Sequence, residues 1–303
     1  MPVYRTRSEI DFRLEDLPAV ARPDRVLLAD PTHFDVEATH NPYMLDEHGN
    51  PRRVDQTRAR KQWLSLKSKI DALGLKADVM PAVDGLPDLV FCANQALPVP
   101  PAEEGGAVRF VPGTMAFASR AREVPVATEF LEKLGFAIDE PVEEGMEATG
   151  DGLWHPGRRL LWAGVGPRSS EAAWEELAGR YGFHVVLLQL ADDLFYHLDT
   201  GLCPLDERTC LWAPEAFDDE GRELVTALFE RCIEADEEEA RALLACNSWC
   251  PDGKHVLIQK GCEATSARLR EAGFEPEPLD LGEFLKSGGA AFCMKLAYAA
   301  PAP

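Results

Sequence analysis

Near its C-terminal end the sequence reads Lys286-Ser-Gly-Gly-Ala-Ala-Phe-Cys293-Met-Lys295. Glycine lets a backbone approach another group closely, and a cysteine just past a glycine pair can face a pocket. A cysteine nucleophile acts as thiolate and needs a cation or hydrogen-bond donors beside it. By itself the segment also describes a buried structural cysteine. A second candidate is Phe195-Tyr-His197-Leu-Asp199. On a strand, alternate side chains share a face, so His197 and Asp199 would point into one pocket. Histidine suits proton transfer near neutral pH, and a neighbouring carboxylate can bind a cation or orient the ring. The alternative is a surface strand with two solvated polar groups. A third segment, Gly145-Met-Glu147-Ala-Thr-Gly-Asp151, sets two acids among small residues ahead of an apolar strand, which fits either close approach to a substrate or a polar turn. A fourth runs from Pro87-Asp88 through an apolar strand at 89–93 to Asn94. There Asp88 either caps a turn after the proline or, with Asn94, faces a pocket.

Something must position these groups. Ala59, Trp63, Leu66, Ile70 and Leu73 recur at the spacing of one helix face. Gly74 follows and suits the left-handed residue that ends a helix. Similar patterns end at Gly135, Gly182 and Gly273, with a strand next, as at 77–80 and 184–190. A fifth helix fits around 223–232, between short apolar strands predicted at 25–29, 89–93, 159–163, 209–213 and 255–259. Five similar units suggest a repeated, closed architecture, although helix–glycine–strand is also common in ordinary α/β proteins. The segment 98–101, followed by Glu103-Glu104-Gly105-Gly106, reads as a turn or loop between strands. No glycine-rich dinucleotide or P-loop signature is present.

Composition narrows the function. The 303-residue chain is 46% hydrophobic and 27% charged, as expected for a soluble globular protein. It has no apolar run of membrane-spanning length and no apolar core to its N-terminal segment; a cytoplasmic location is the expectation. The net charge of −21 argues against nucleic acid and suits both solubility and a cationic ligand. The eight cysteines are expected to be reduced, and Cys246, Cys250, His255 and Cys262 do not have the spacing of a common zinc site.

Taken in order, Asn41-Pro-Tyr-Met44, 87–94, Arg120-Ala-Arg-Glu123, Glu147-Ala-Thr-Gly-Asp151, Gly166-Pro-Arg168-Ser169, His197-Leu-Asp199 and Gly288-Gly289 to Cys293 resemble the guanidino-group-modifying superfamily. It includes dimethylarginine dimethylaminohydrolases, arginine deiminases, arginine dihydrolases and amidinotransferases, and the resemblance spans nearly the whole chain. It implies a single catalytic domain over 1–303, an α/β fold built as a five-bladed α/β propeller (pentein) with pseudo-fivefold symmetry, and a central site. It further implies a hydrolase of C–N bonds in arginine or methylated arginine, working through a thiouronium-type intermediate without metal or cofactor. In that scheme Cys293 is the nucleophile, His197 the acid/base and Glu147 the carboxylate that holds the guanidinium and polarises His197. Asp199 looks like a second guanidinium ligand. Arg168 and Arg122 resemble residues that bind the substrate carboxylate, and Asp88 would take the α-amino end. Asn94 stands where many deiminases and dimethylargininases have Asp. Arginine dihydrolases resemble this chain there, which raises a double hydrolysis to ornithine. The spacing of the two acids leaves Asp151 as a rival to Glu147. An amidinotransferase using the same cysteine, and a non-catalytic arginine-binding propeller, are the alternatives. The expected partner is a small guanidino substrate, with neither nucleic acid nor membrane, and homo-oligomerisation is left open.

Overall fold

The computed structural model describes residues 2–103 and 105–300. Among them, five separate sheets share one pattern. A middle strand pairs in parallel with an outer strand, and a helix bridges the two, as a parallel crossover requires. The middle and outer strands are Arg25–Ala29 with Lys76–Met80, Arg109–Pro112 with Ala137–Ile138, Leu160–Val165 with His184–Gln189, Thr209–Trp212 with Arg231–Glu234, and His255–Gln259 with Glu275–Leu279. The connecting helices are Gln56–Ala72, Glu123–Lys133, Glu171–Tyr181, Asp219–Leu228 and Glu263–Glu271.

On its other side each middle strand meets a short antiparallel strand. These inner strands are Ala96–Val99, Gly152–Trp154, Leu202–Pro204 and Leu296–Tyr298. In the fifth sheet a single bridge, Trp249 to Leu257, takes that place. The last inner strand pairs with Arg25–Ala29, so the C-terminal segment completes the first sheet.

Local chemistry accounts for the repeat. In the first helix, Ala59, Trp63, Leu66 and Ile70 are buried along one face, and Asp55 caps its start by accepting from the Arg58 amide. The four helix-ending glycines, 74, 135, 182 and 273, all have positive φ, between 66° and 95°, the region that L side chains resist. Three boundaries differ from the sequence expectation. The fourth helix stops at Leu228, and Cys232 lies in the following strand. Pro98 and Val99 belong to an inner strand rather than to a loop. The apolar run 89–93 folds as two 3-10 turns, Pro87–Val90 and Cys92–Asn94. Leu89, Val90, Phe91, Cys92 and Ala93 are all buried, so their hydrophobicity carries no period by which a strand could be told from a turn.

Among the described residues, no helix is long and apolar enough to cross a membrane. Cys246, Cys250 and Cys262 pack in the apolar core, and among the described residues no cluster of His, Cys, Asp or Glu is arranged to hold a metal ion.

Candidate active site

Each inner strand is preceded by a tight turn, and these turns carry the polar groups. Asn94 ends a 3-10 turn two residues before Ala96. Glu147 and His197 are the N-terminal caps of the one-turn helices Ala148–Asp151 and Leu198–Gly201, which lead directly into inner strands. Asn247 lies two residues before the Trp249 bridge. Cys293 sits three residues before Leu296. The expected strand through 197–199 is therefore a turn, and Cys293 also lies in one. His197 and Asp199 are both buried in the site, but the helical turn brings them there and strand parity does not. Ala148, next to Glu147, is held at φ 46°, a conformation that favours glycine.

The turns surround a narrow cavity, about 320 Å³ of non-atom space with the solvent at its mouth included, whose lining includes Asp88, Asn94, Arg120, Arg168, Tyr196, His197 and Cys293. Glu147, fully buried, joins His197 through a 2.7 Å hydrogen bond to Nε2. It also accepts from the Ala116 amide at 3.0 Å and from Arg168 Nη1 at 3.3 Å. Burial pushes the Glu147 carboxyl up. The hydrogen bond from His197, with the charges of His197, Arg168 and Arg120, outweighs it and holds the pKa at about 2. Glu147 is thus an anion, so Nε2 carries the proton and donates to it. Nδ1 has no hydrogen-bond partner among the described residues, which leaves it for a ligand. Asp151 is 3.9 Å from the same Nε2. Its oxygens instead accept from Ser169 Oγ at 2.6 Å and the Leu198 amide at 3.0 Å. Distance therefore favours Glu147 over Asp151 as the partner of the imidazole.

The Cys293 sulfur is also in polar company. Sγ donates to Asp199 Oδ2 at 3.1 Å and accepts from Asn247 Nδ2 at 3.1 Å. Asn247 further fixes the loop, because its Oδ1 accepts from the amides of Ala290 at 2.8 Å and Cys293 at 3.3 Å. Burial first, and then the Asp199 carboxylate, push the thiol well above its ordinary range, while Asn247 and Arg120 pull it down. Burial likewise raises Asp199 to about 6 against the charge of His197. Asp199 Oδ1 is buried and has no partner among the described residues. An unpaired buried acceptor is costly, and a cationic donor would satisfy it. The glycines before Cys293 do allow a close approach, but to protein: a Cβ on Gly289 would collide with the Phe91 ring.

The remaining predicted residues divide. Arg168 is buried, donates to the His40 carbonyl at 2.6 Å and stacks 4.5 Å from the Phe117 ring centroid and 5.1 Å from that of Tyr196. Asp88 is buried at the cavity, accepts from Ser287 Oγ at 3.0 Å, and is raised by that burial. Asn94 accepts from Arg120 Nη1 at 3.1 Å and donates to the Glu147 carbonyl at 3.4 Å. Arg122 is a correction: it is exposed, donates to the Gly85 carbonyl at 3.0 Å and does not line the cavity. Arg120, two residues earlier, lines it instead, paired with Glu123 at 2.9 Å. Two arginines two positions apart on one helical turn point in different directions, and the sequence does not say which turns inward. Asn247 was missed entirely. It precedes the bridge at Trp249 as Asn94 precedes the strand at Ala96, but nothing in the sequence marks either start.

Comparison with known proteins gives the same picture. No family model matches the sequence. The dimethylarginine dimethylaminohydrolase of Mycobacterium tuberculosis is 33% identical over 91% of this chain and 86% of its own length. The bifunctional arginine dihydrolase/ornithine cyclodeaminase ArgZ of Synechocystis is 35% identical over 91% of this chain, which spans 38% of that longer protein. The crystal structure of the N-terminal domain of ArgZ bound to its substrate superposes with a TM-score of 0.83, at 33% identity, covering 91% of this chain and 98% of that one. The same ArgZ domain covalently bound to a reaction intermediate has a TM-score of 0.83 at 32% identity, covering 92% of this chain and 99% of that one. These relatives, a dimethylarginine dimethylaminohydrolase and arginine dihydrolases, form a class of mixed α/β proteins directed at guanidino groups. The chain belongs to the guanidino-group-modifying family that contains these dimethylarginine dimethylaminohydrolases and arginine dihydrolases.

Proposed function

We propose that the protein is a cysteine-dependent hydrolase of C–N bonds in a guanidino substrate, arginine or a methylated arginine, and that residues 1–303 form its single catalytic domain. The five units would close around a common axis as a five-bladed propeller with pseudo-fivefold symmetry, the catalytic turns at one end. The observation that carries the reading is that Cys293 and His197 line one cavity while Glu147 holds the imidazole from outside it, at 2.7 Å.

The electrostatics fit a substrate-assisted start. In the empty site, burial and Asp199 keep the Cys293 thiol protonated. An incoming guanidinium would satisfy the orphaned Asp199 Oδ1, offset the carboxylate charge and favour thiolate, the thiol proton passing to solvent. Sγ then attacks the guanidinium carbon and forms an S–C bond. The imidazolium of His197 gives its proton to the departing nitrogen, the C–N bond breaks, and an amine leaves. His197, now neutral, takes a proton from water, whose oxygen attacks the S-bound amidinium carbon. Breaking the S–C bond returns Cys293 and releases the urea product. Arg168 would bind the substrate carboxylate and Asp88 its α-amino group. The amide of Asn94 at the cavity supports a second round that carries citrulline on to ornithine.

The test is to assay citrulline, ornithine, ammonia and methylamines from arginine and its methylated forms, with Cys293→Ser as control. Turnover that survives this substitution would overturn the mechanism. Product formed only when an acceptor amine is supplied would convert the reading to amidinotransfer.

A further inference from the structure

The inner strands lead from the catalytic turns to an opposite mouth, and a second cavity opens there. All five sheets contribute to its lining, through Pro98, Leu153, Pro204, Trp249 and Ala297 among others. It contains about 2250 Å³ of non-atom space, the solvent at its mouth included, ample for a small ligand. Proline, alanine and aromatic side chains dominate its walls.

Lys295 opens onto this cavity, two residues after Cys293. The side chain is buried, with the residue only 3% exposed. Its ammonium lies 3.0 Å from the Phe292 ring centroid and 5.3 Å from that of Trp249. Among the described residues it makes no hydrogen bond and no ion pair. Ring faces attract a cation but do not replace the hydrogen bonds that a buried ammonium gives up with water. Burial accordingly pulls the amine down to about 7, against the negative charge of Asp199. An amine held unpaired in an apolar cavity is complementary to one kind of visitor. That visitor must supply a negative acceptor for Nζ and an apolar body for the walls. Arg22 and Glu103 also line it, one cation and one carboxylate.

We propose that this mouth binds a small organic anion with an apolar body, a hydrophobic carboxylate, whose charged end pairs with Lys295. Its lining shares no residue with that of the catalytic cavity, and the proposal does not rest on the chemistry assigned to Cys293.

The test is calorimetric titration of the full chain with decanoate and with decanol, which share an apolar tail and differ in charge. Decanoate should bind once per chain and about tenfold or more tighter than decanol, the scale of one charge-assisted hydrogen bond. Lys295→Met should bring decanoate down to the affinity of decanol. Equal affinities for the two compounds in the wild-type chain, or no saturable decanoate binding, would overturn the proposal without recourse to any variant. Undiminished decanoate binding by a folded Lys295→Met variant would overturn it as well.

Discussion

Replacing Asp199 by Asn tests how the resting thiol is held. The Asp199 oxygen lies 3.1 Å from Sγ, and its charge opposes ionisation of Cys293. Over that distance two unit charges interact by about 1.3 kcal/mol at the dielectric of water and by about 5 kcal/mol at an effective dielectric near 20. One pKa unit corresponds to about 1.4 kcal/mol. Asp199→Asn should therefore lower the titration midpoint of the Cys293 thiol by about one to four units. The amide can still accept from S–H, so the hydrogen bond itself need not be lost. The assay is the rate of iodoacetamide alkylation against pH, read at the Cys293 peptide by mass spectrometry so that the other cysteines do not contribute. A midpoint that stays put, or moves upward, would refute the claim that Asp199 keeps the thiol protonated.

Glu147→Gln removes the anion that holds the His197 ring and should lower kcat by about 10²–10⁴ in steady-state assays. The same change bears on acid stability. Glu147 is held at about 2 from a usual 4.5, so its ionised form stabilises the fold above about pH 4.5, and that stabilisation, on the order of 3 kcal/mol, fades as pH falls towards 2. Urea midpoints of the wild type and Glu147→Gln should converge over that window. Asn247→Ala removes the donor to Sγ and two backbone anchors of the Cys293 loop. It should cost about 10–100-fold in kcat while leaving KM less affected. Arg168→Ala should raise KM, whereas Arg122→Ala, at an exposed site, should leave both kinetic constants near wild type and stability within about 0.5 kcal/mol.

The repeat was legible because its signals are local. A helix face such as Ala59, Trp63, Leu66 and Ile70 and a glycine at the helix end are readable within one segment, and the structure has both. The inner strands were not legible. They are three or four residues long, almost wholly buried, and one is reduced to a single bridge, so no alternation marks them. The same loss of period disguised the turns at 87–94 as a strand. Candidate chemistry was legible from residue type and context: an acid ahead of small residues at Glu147, a histidine two positions from an acid at His197, and a cysteine after a glycine pair at Cys293. What sequence could not supply was direction and distance. Glu147 was separated from Asp151 only by 2.7 Å against 3.9 Å to one imidazole nitrogen, and Arg120 from Arg122 only by which way a helical turn faces the cavity.

The central claim is a covalent bond between Cys293 and the guanidinium carbon, and it can be weighed directly. An S-alkyl thiourea analogue of arginine has a thiol leaving group that departs without needing a proton, so it can acylate Cys293 even when His197 is replaced by Gly. Deacylation would then stall for want of a base. Intact-mass and peptide-level mass spectrometry of His197→Gly after incubation with this analogue should show one adduct, the analogue less its thiol, on Cys293. An unmodified Cys293 under those conditions, or an adduct carried by a different cysteine, would contradict the account.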